Sequence, residues 1–154
     1  MNVTVQKVHR TAQFEQFHGL QVAYEESLPA DLRHRLPDLA GLEALYAEPN
    51  AAFLGFVDDK AAGCVAVTTL DASSDVLKRL YVDPRFRNAG LARALVGAAL
   101  QFSREHERLR VVLDTDRERL NGAYRLYVSL GFEECAPYGP VDYAHPTFME
   151  LRIG

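Results

Sequence analysis

The chain reads as an α/β (α+β) protein: a mixed, mostly antiparallel central sheet of about seven strands with about four flanking helices. Three observations predict this. Seven short β-rich runs outnumber four helical stretches. Two of the early runs, "AAFLGFVD" and "AAGCVAVTTL", meet across the polar turn Asp58-Asp59-Lys60, as the strands of a hairpin do. Strand–helix–strand occurs once, over residues 76–114, which makes parallel neighbours inside an otherwise antiparallel sheet.

The elements follow in order. Val3, Val5 and Val8 mark a short first strand, and a helix follows over residues 12–26 with Phe14, Phe17, Val22 and Tyr24 spread unevenly over its faces. Pro29, Pro37 and Pro49 punctuate residues 28–50, so a helix there is short, around 39–46. After the hairpin the loop "DASSD" leads to "VLKRLYV", a strand that ends before Pro84. Residues 90–107 carry Leu91, Leu95, Ala98 and Phe102 at spacings of four, three and four, one apolar stripe on a helix. "RVVLD" is a short buried strand, and residues 121–130 form a helix closed by Gly131, a residue suited to a helix C-terminus. "FEECA" and "TFMELRI" are the last two strands, with a loop rich in proline and tyrosine between them.

Bulk properties narrow the class. A length of 154 residues, with 48% hydrophobic and 25% charged, suits one globular domain over residues 1–154. The formal charge of −4 gives no reason to expect a nucleic-acid partner. No segment approaches the roughly 20 apolar residues of a membrane span, and nothing near the N-terminus resembles a signal peptide. Cys64 and Cys135 have neither CxxC nor Cys/His spacing, so reduced thiols, no metal site and a cytoplasmic location are expected. Oligomeric state is not legible; a homodimer is the commonest homo-oligomer.

One stretch carries chemistry. In "LYVDPRFRNAGLAR" a strand passes through a proline turn into a helix entered by small residues. The first four N–H groups of a helix lack internal partners and carry partial positive charge, so such an end receives anions, phosphates above all. Gly90 and Ala92 leave the backbone approachable, and Arg87 and Arg93 can add charge-assisted hydrogen bonds. The stretch is neither GxxxxGK[ST] nor GxGxxG, which argues against a nucleotide-triphosphate loop or a dinucleotide fold. The plainer reading is a helix with a packing glycine and surface arginines.

The segment resembles motif A of the GNAT superfamily of acyl-CoA-dependent N-acyltransferases, Arg/Gln-x-x-Gly-x-Gly/Ala, matched by Arg87, Gly90 and Ala92. "LKRLYVDP" is similar to the strand preceding that motif, and "AYRLYVSLGF" to the family's motif B. The resemblance implies a sheet splayed between its fourth and fifth strands. It implies acetyl-CoA as cosubstrate: the backbone of Leu80, Tyr81 and Val82 beside the pantetheine arm, and the diphosphate on Arg87, Asn88, Ala89, Gly90, Leu91, Ala92 and Arg93. Asn121 stands near the position from which family members bond the cofactor, displaced from the usual register.

The implied reaction is N-acetylation of a primary amine on a small molecule or peptide, by direct attack with both substrates bound. A lysine-like amine of pKa about 10.4 is neutral in only about one molecule in 2,500 at pH 7, so a base or a water relay has to assist. Tyr127 occupies the position of the family's general acid; Ala123, Tyr127 and Leu130 also share a helical face, so core packing is the plain alternative. Tyr124 is a weaker candidate. Asp114, ending its strand, is the candidate base, against capping of the following turn. Val76 stands where relatives often carry glutamate, which favours a water relay. The loop "APYGPVDYAHP" offers Tyr138 and Tyr143 to the acceptor, with Asp142 and His145 nearby. A non-catalytic acyl-CoA sensor or partner module is the alternative class.

Overall fold

The computed structural model describes residues 1–154, and its elements run in the expected order. Strand β1 spans Val3–Lys7, helix α1 Thr11–Ser27 and helix α2 Leu39–Leu45. Strands β2 (Ala51–Val57), β3 (Lys60–Asp71) and β4 (Ser74–Val82) form consecutive hairpins. Helix α3 (Leu91–Glu105) leads to β5 (Arg110–Thr115), α4 (Asn121–Ser129), β6 (Glu133–Glu134) and β7 (Thr147–Arg152).

The seven strands form one sheet in the order β1-β2-β3-β4-β5-β7-β6. All neighbours are antiparallel except β4 and β5, the pair joined through α3. The sheet therefore matches the expected class, and the local differences have simple causes. Asp58 and Asp59 alone make the first turn, both with positive φ as a tight hairpin turn requires, so Lys60 already belongs to β3. The expected loop at 71–75 is only a two-residue turn, because Asp71 pairs with Ser74 and Asp71 Oδ1 accepts the Ser73 amide. The sixth strand shrinks to two residues. Cys135 lies just past it, tied to Phe148 by one backbone hydrogen bond.

Alternation along the strands gives each face its own core. One face packs Leu91, Leu95, Val96 and Phe102 of α3 and Tyr127 of α4 over Phe53, Val65, Val67 and Leu113. The other packs Phe14 and Phe17 of α1 and Leu42 of α2 over Leu54, Cys64, Ala66 and Tyr81. Each buried leucine or phenylalanine contributes about 1.5–3 kcal/mol of transfer free energy. On α1 the stripe 14-17-21-25 begins with two phenylalanines and continues with buried Gln21 and Glu25. No helix is long and apolar enough to cross a membrane.

Candidate active site

Pairing between β4 and β5 covers three residues on each strand and ends at Val76↔Val112. Beyond that point the strands part, and a cleft of about 1150 Å3 fills the gap. One edge of β4 from Leu77 to Val82 lines it, with Asp114 of β5 opposite and Tyr127 of α4 at its side. The parting coincides with a bulge: between the pairs Ala66↔Lys78 and Cys64↔Tyr81 two residues of β4 oppose one of β3. Arg79, in the bulge, has φ of 63°.

That unusual backbone is clamped from α1. The Arg79 guanidinium donates to Gln21 and to Glu25, and it lies over the Tyr24 ring, 5.4 Å from the centroid. Gln21 in turn donates to Cys64 Sγ at 2.9 Å and to the Arg79 carbonyl at 3.3 Å. Burial pushes the Tyr24 phenol up to about 12 and the Cys64 thiol likewise to about 12, so both stay protonated. Cys64 is thus a packing residue, as its position in a strand implied. The signal for the clamp lay in the polar continuation of the α1 stripe.

At the other end the chain enters α3 through Asn88 (φ 67°) and Gly90 (φ 82°). Gly90 occupies the N-cap position and offers no side-chain cap. The backbone amides of residues 88–93 find no acceptor anywhere in the chain. A Cβ placed on Gly90 would meet nothing within 4 Å, so the helix mouth is open. Arg87, Asn88 and Ala92 reach the cleft. Leu91 can offer only its amide, because its side chain is 1% exposed and sits in the α3 core. Arg93 donates through one terminal nitrogen to Ser129 Oγ at 2.8 Å and leaves its backbone amide unpartnered at the mouth. Asn121, at the first turn of α4, also lines the cleft.

Tyr127 is 8% exposed, packs against Phe132 with ring centroids 5.7 Å apart, and lines the cleft. Packing and cleft-facing roles thus coexist. Its hydroxyl has no partner in the chain, and burial raises its pKa well above the ordinary tyrosine value. Tyr124 points elsewhere and donates to Glu134 at 3.2 Å. Asp114 accepts the hydroxyl of Tyr138 on one oxygen and that of Tyr143 on the other, the latter at 2.7 Å. Burial, then that carboxylate, hold both phenols well above their usual pKa, so both remain donors. The two loop tyrosines expected at the acceptor are brought to the expected base. Tyr143 lines the cleft, whereas Tyr138 meets Phe148 edge to face, ring centroids 5.3 Å apart. Val76 is a buried apolar residue, so β4 has no carboxylate there.

Two links missed in the sequence fasten the far wall. Arg119 binds Asp31 through both terminal nitrogens, at 2.7 and 2.8 Å, and Asp116 through Nε at 2.7 Å. His34 Nε2 lies 3.2 Å from Asp142 Oδ1. The proline-rich segment after α1 is thereby tied to the β5–α4 loop and to the β6–β7 loop. His145 lies outside this cleft, in a smaller depression of about 620 Å3 shared with Cys135.

The model of the acetyltransferase (GNAT) family matches residues 14–132, more than three quarters of the chain. The chain belongs to that family. Among solved GNAT-type structures, the PaiA N-acetyltransferase from Thermoplasma acidophilum in complex with coenzyme A superposes with a TM-score of 0.80 at 14% identity, covering 99% of this chain and 100% of that one. A GNAT acetyltransferase from Staphylococcus aureus gives 0.79 at 18% identity, covering 98% and 99%. These likenesses concern the fold. In sequence, the chain is 36% identical over 98 residues to the rat N-acetylaspartate synthetase, covering 62% of this chain and 32% of that protein. This GNAT chain thus aligns with about a third of the length of that relative.

Proposed function

We propose that the chain is an acetyl-CoA-dependent N-acetyltransferase that moves the acetyl group directly to a primary amine of a small molecule or peptide, with both substrates bound at once. The observation that carries the reading is the run of unpartnered amides at residues 88–93, opening beside a cleft between parted strands. Such a run fits a diphosphate, because each amide seeks an acceptor and the helix end favours negative charge. Arg87 adds a cation at the same mouth. The edge of β4 at Leu80, Tyr81 and Val82, unpaired with β5 and met only by Arg87 Nε at the Val82 carbonyl (3.4 Å), suits an extended arm carrying amide groups, which can complete the strand's hydrogen bonds.

Bound there, acetyl-CoA supplies an activated thioester. The residues of the chain then do the rest. Asp114, directly or through water, receives the proton that the amine must lose before its nitrogen can form the new C–N bond. As the C–S bond breaks, the Tyr127 hydroxyl donates a hydrogen bond to the departing sulfur. A phenol of pKa about 10 is a weaker acid than a thiol of about 8.5, so full transfer from Tyr127 is uphill by roughly 2 kcal/mol and occurs late. Burial of Tyr127 increases that difference, which makes the hydrogen bond rather than the transfer its main service.

Calorimetric titration with acetyl-CoA tests the reading. Binding in the micromolar range is expected, weakened about tenfold by Arg87→Ala, which removes a charge-assisted contact, and more by Gly90→Glu, which sets a carboxylate in the anion cradle. No binding to the unsubstituted protein would refute the assignment. A second reading, a non-catalytic acyl-CoA sensor, is favoured by Val76, which leaves β4 without the carboxylate many relatives have. Thiol release across a panel of amines separates the two.

A further inference from the structure

The charged side chains on the acceptor side of the cleft are nearly all matched by an opposite charge or, for Asp142, by an imidazole. Glu25 is bound by Arg79, Asp116 by Arg119, and Asp142 lies against His34. Two are not. Lys78 has no hydrogen-bond or ion-pair partner, and Asp114 is held by two neutral phenols with no cation in contact.

Their placement is a matter of register. The last paired residues of β4 and β5 are Val76 and Val112. Lys78 and Asp114 each stand two residues further on, one side-chain period, so they share a face and a level of the sheet. Leu77 and Leu113, between them, turn into the core under α3. Lys78 pairs in register with Ala66, which belongs to the core under α1, so Lys78 and Asp114 rise on the α1 side. Paired strands lie about 4.8 Å apart, and these have begun to part. A cation and an anion thus face each other across a widening gap with no salt bridge between them. Lys78 is exposed along β4, so its ammonium is open to an anion; desolvation lowers its pKa and the nearby Asp114 charge opposes that shift.

We propose that the acceptor is a zwitterion of the amino-acid type, its anionic group bound by the Lys78 ammonium and its amino group received by Asp114. Each Asp114 oxygen accepts one phenol and keeps a lone-pair direction free for the incoming amine. Tyr138 and Tyr143 act as positioning residues that hold the carboxylate in place. This rests on the acetyltransferase reading for the amine but not for the anion.

The test uses the full chain saturated with coenzyme A and titrates the common amino acids, their carboxamides and simple alkylamines by calorimetry, with thiol release from acetyl-CoA measured in parallel. At least one free amino acid is expected to bind, its carboxamide roughly tenfold or more weakly, as loss of a hydrogen bond between charged groups implies. Lys78→Met should erase that discrimination with an unaltered unfolding midpoint, and Lys78→Arg should restore part of it. Carboxamides or alkylamines binding as well as free acids, no amino acid binding, or discrimination that survives in Lys78→Met would each overturn the inference. Acid-selective binding without thiol release would sustain it and sink the transferase reading. Thiol release without acid preference would do the reverse.

Discussion

Tyr127 shows how one environment sets both packing and chemistry. Its ring fills the core over Phe132 while its hydroxyl opens to the cleft without a partner. Burial disfavours the phenolate, so the pKa rises, and a donor that must be protonated stays competent to higher pH. The expected kcat/KM profile therefore climbs as the acceptor amine loses its proton and has no descending limb below pH about 10. A descending limb near 9 that vanished in Tyr127→Phe would contradict this. Tyr127→Phe itself should lower kcat about tenfold to a hundredfold, the scale of a lost hydrogen bond to a charged group, with acetyl-CoA affinity unchanged in calorimetry. Asp114→Asn keeps the shape but removes the charge and the proton acceptor, so kcat/KM should fall at least about tenfold. An unchanged value in steady-state assays would remove Asp114 from the chemistry. Tyr127 and Asp114 were legible as candidates through the resemblance to the GNAT family, since their local positions alone suit core packing and turn capping. The link from Tyr138 and Tyr143 to Asp114 was not, since loop closure over 24 and 29 positions leaves no local pattern.

Among the elements, α3 was the clearest in sequence because its partner surface is apolar apart from Asp75, which accepts the Ser103 hydroxyl, and burial then follows the 3.6-residue period. In contrast, α1 was blurred, because half of its buried stripe is polar and is explained only by Arg79 on a distant strand. The α3–sheet contact also depends on a small residue in β3. A Cβ on Gly63 would stand 2.8 Å from the Tyr81 carbonyl oxygen and 3.1 Å from Leu91 and Leu95. Gly63→Ala should therefore cost about 1–3 kcal/mol, the range for overpacking, read as a lower urea midpoint. Since the clash falls on the stretch of β4 that borders the cleft, acetyl-CoA affinity should fall with it. A variant as stable as the parent would show that the backbone yields there at little cost.

In the whole molecule, Arg119 joins two parts of the chain that are far apart in sequence, the segment at Asp31 and its own loop at Asp116. Its side chain holds Asp31 below the usual carboxylate range. Its amide and then its guanidinium do the same for Asp116. Carboxyls with lowered folded-state pKa stabilise the fold above the unfolded value of about 4 and lose that contribution as pH falls through the lowered values. Arg119→Met should thus lower Tm by a few degrees at pH 7 and narrow the difference between Tm at pH 7 and at pH 3. An equal difference in both proteins would place the acid sensitivity elsewhere. Sequence reasoning recovered the sheet and its parallel crossover, because hydrophobic period and turn chemistry are local. It missed the ties around residues 28–38, where prolines erase periodicity and single ion pairs decide the path.

The three rungs between β4 and β5 make the sheet two plates sharing a thin seam. A ligand lodged beyond the last rung touches both plates and acts as a rivet. Coenzyme A should therefore slow amide exchange in β7, which it need not touch, as well as in β4 and β5, and stiffness gained on the distant strand would be the signature of that joint.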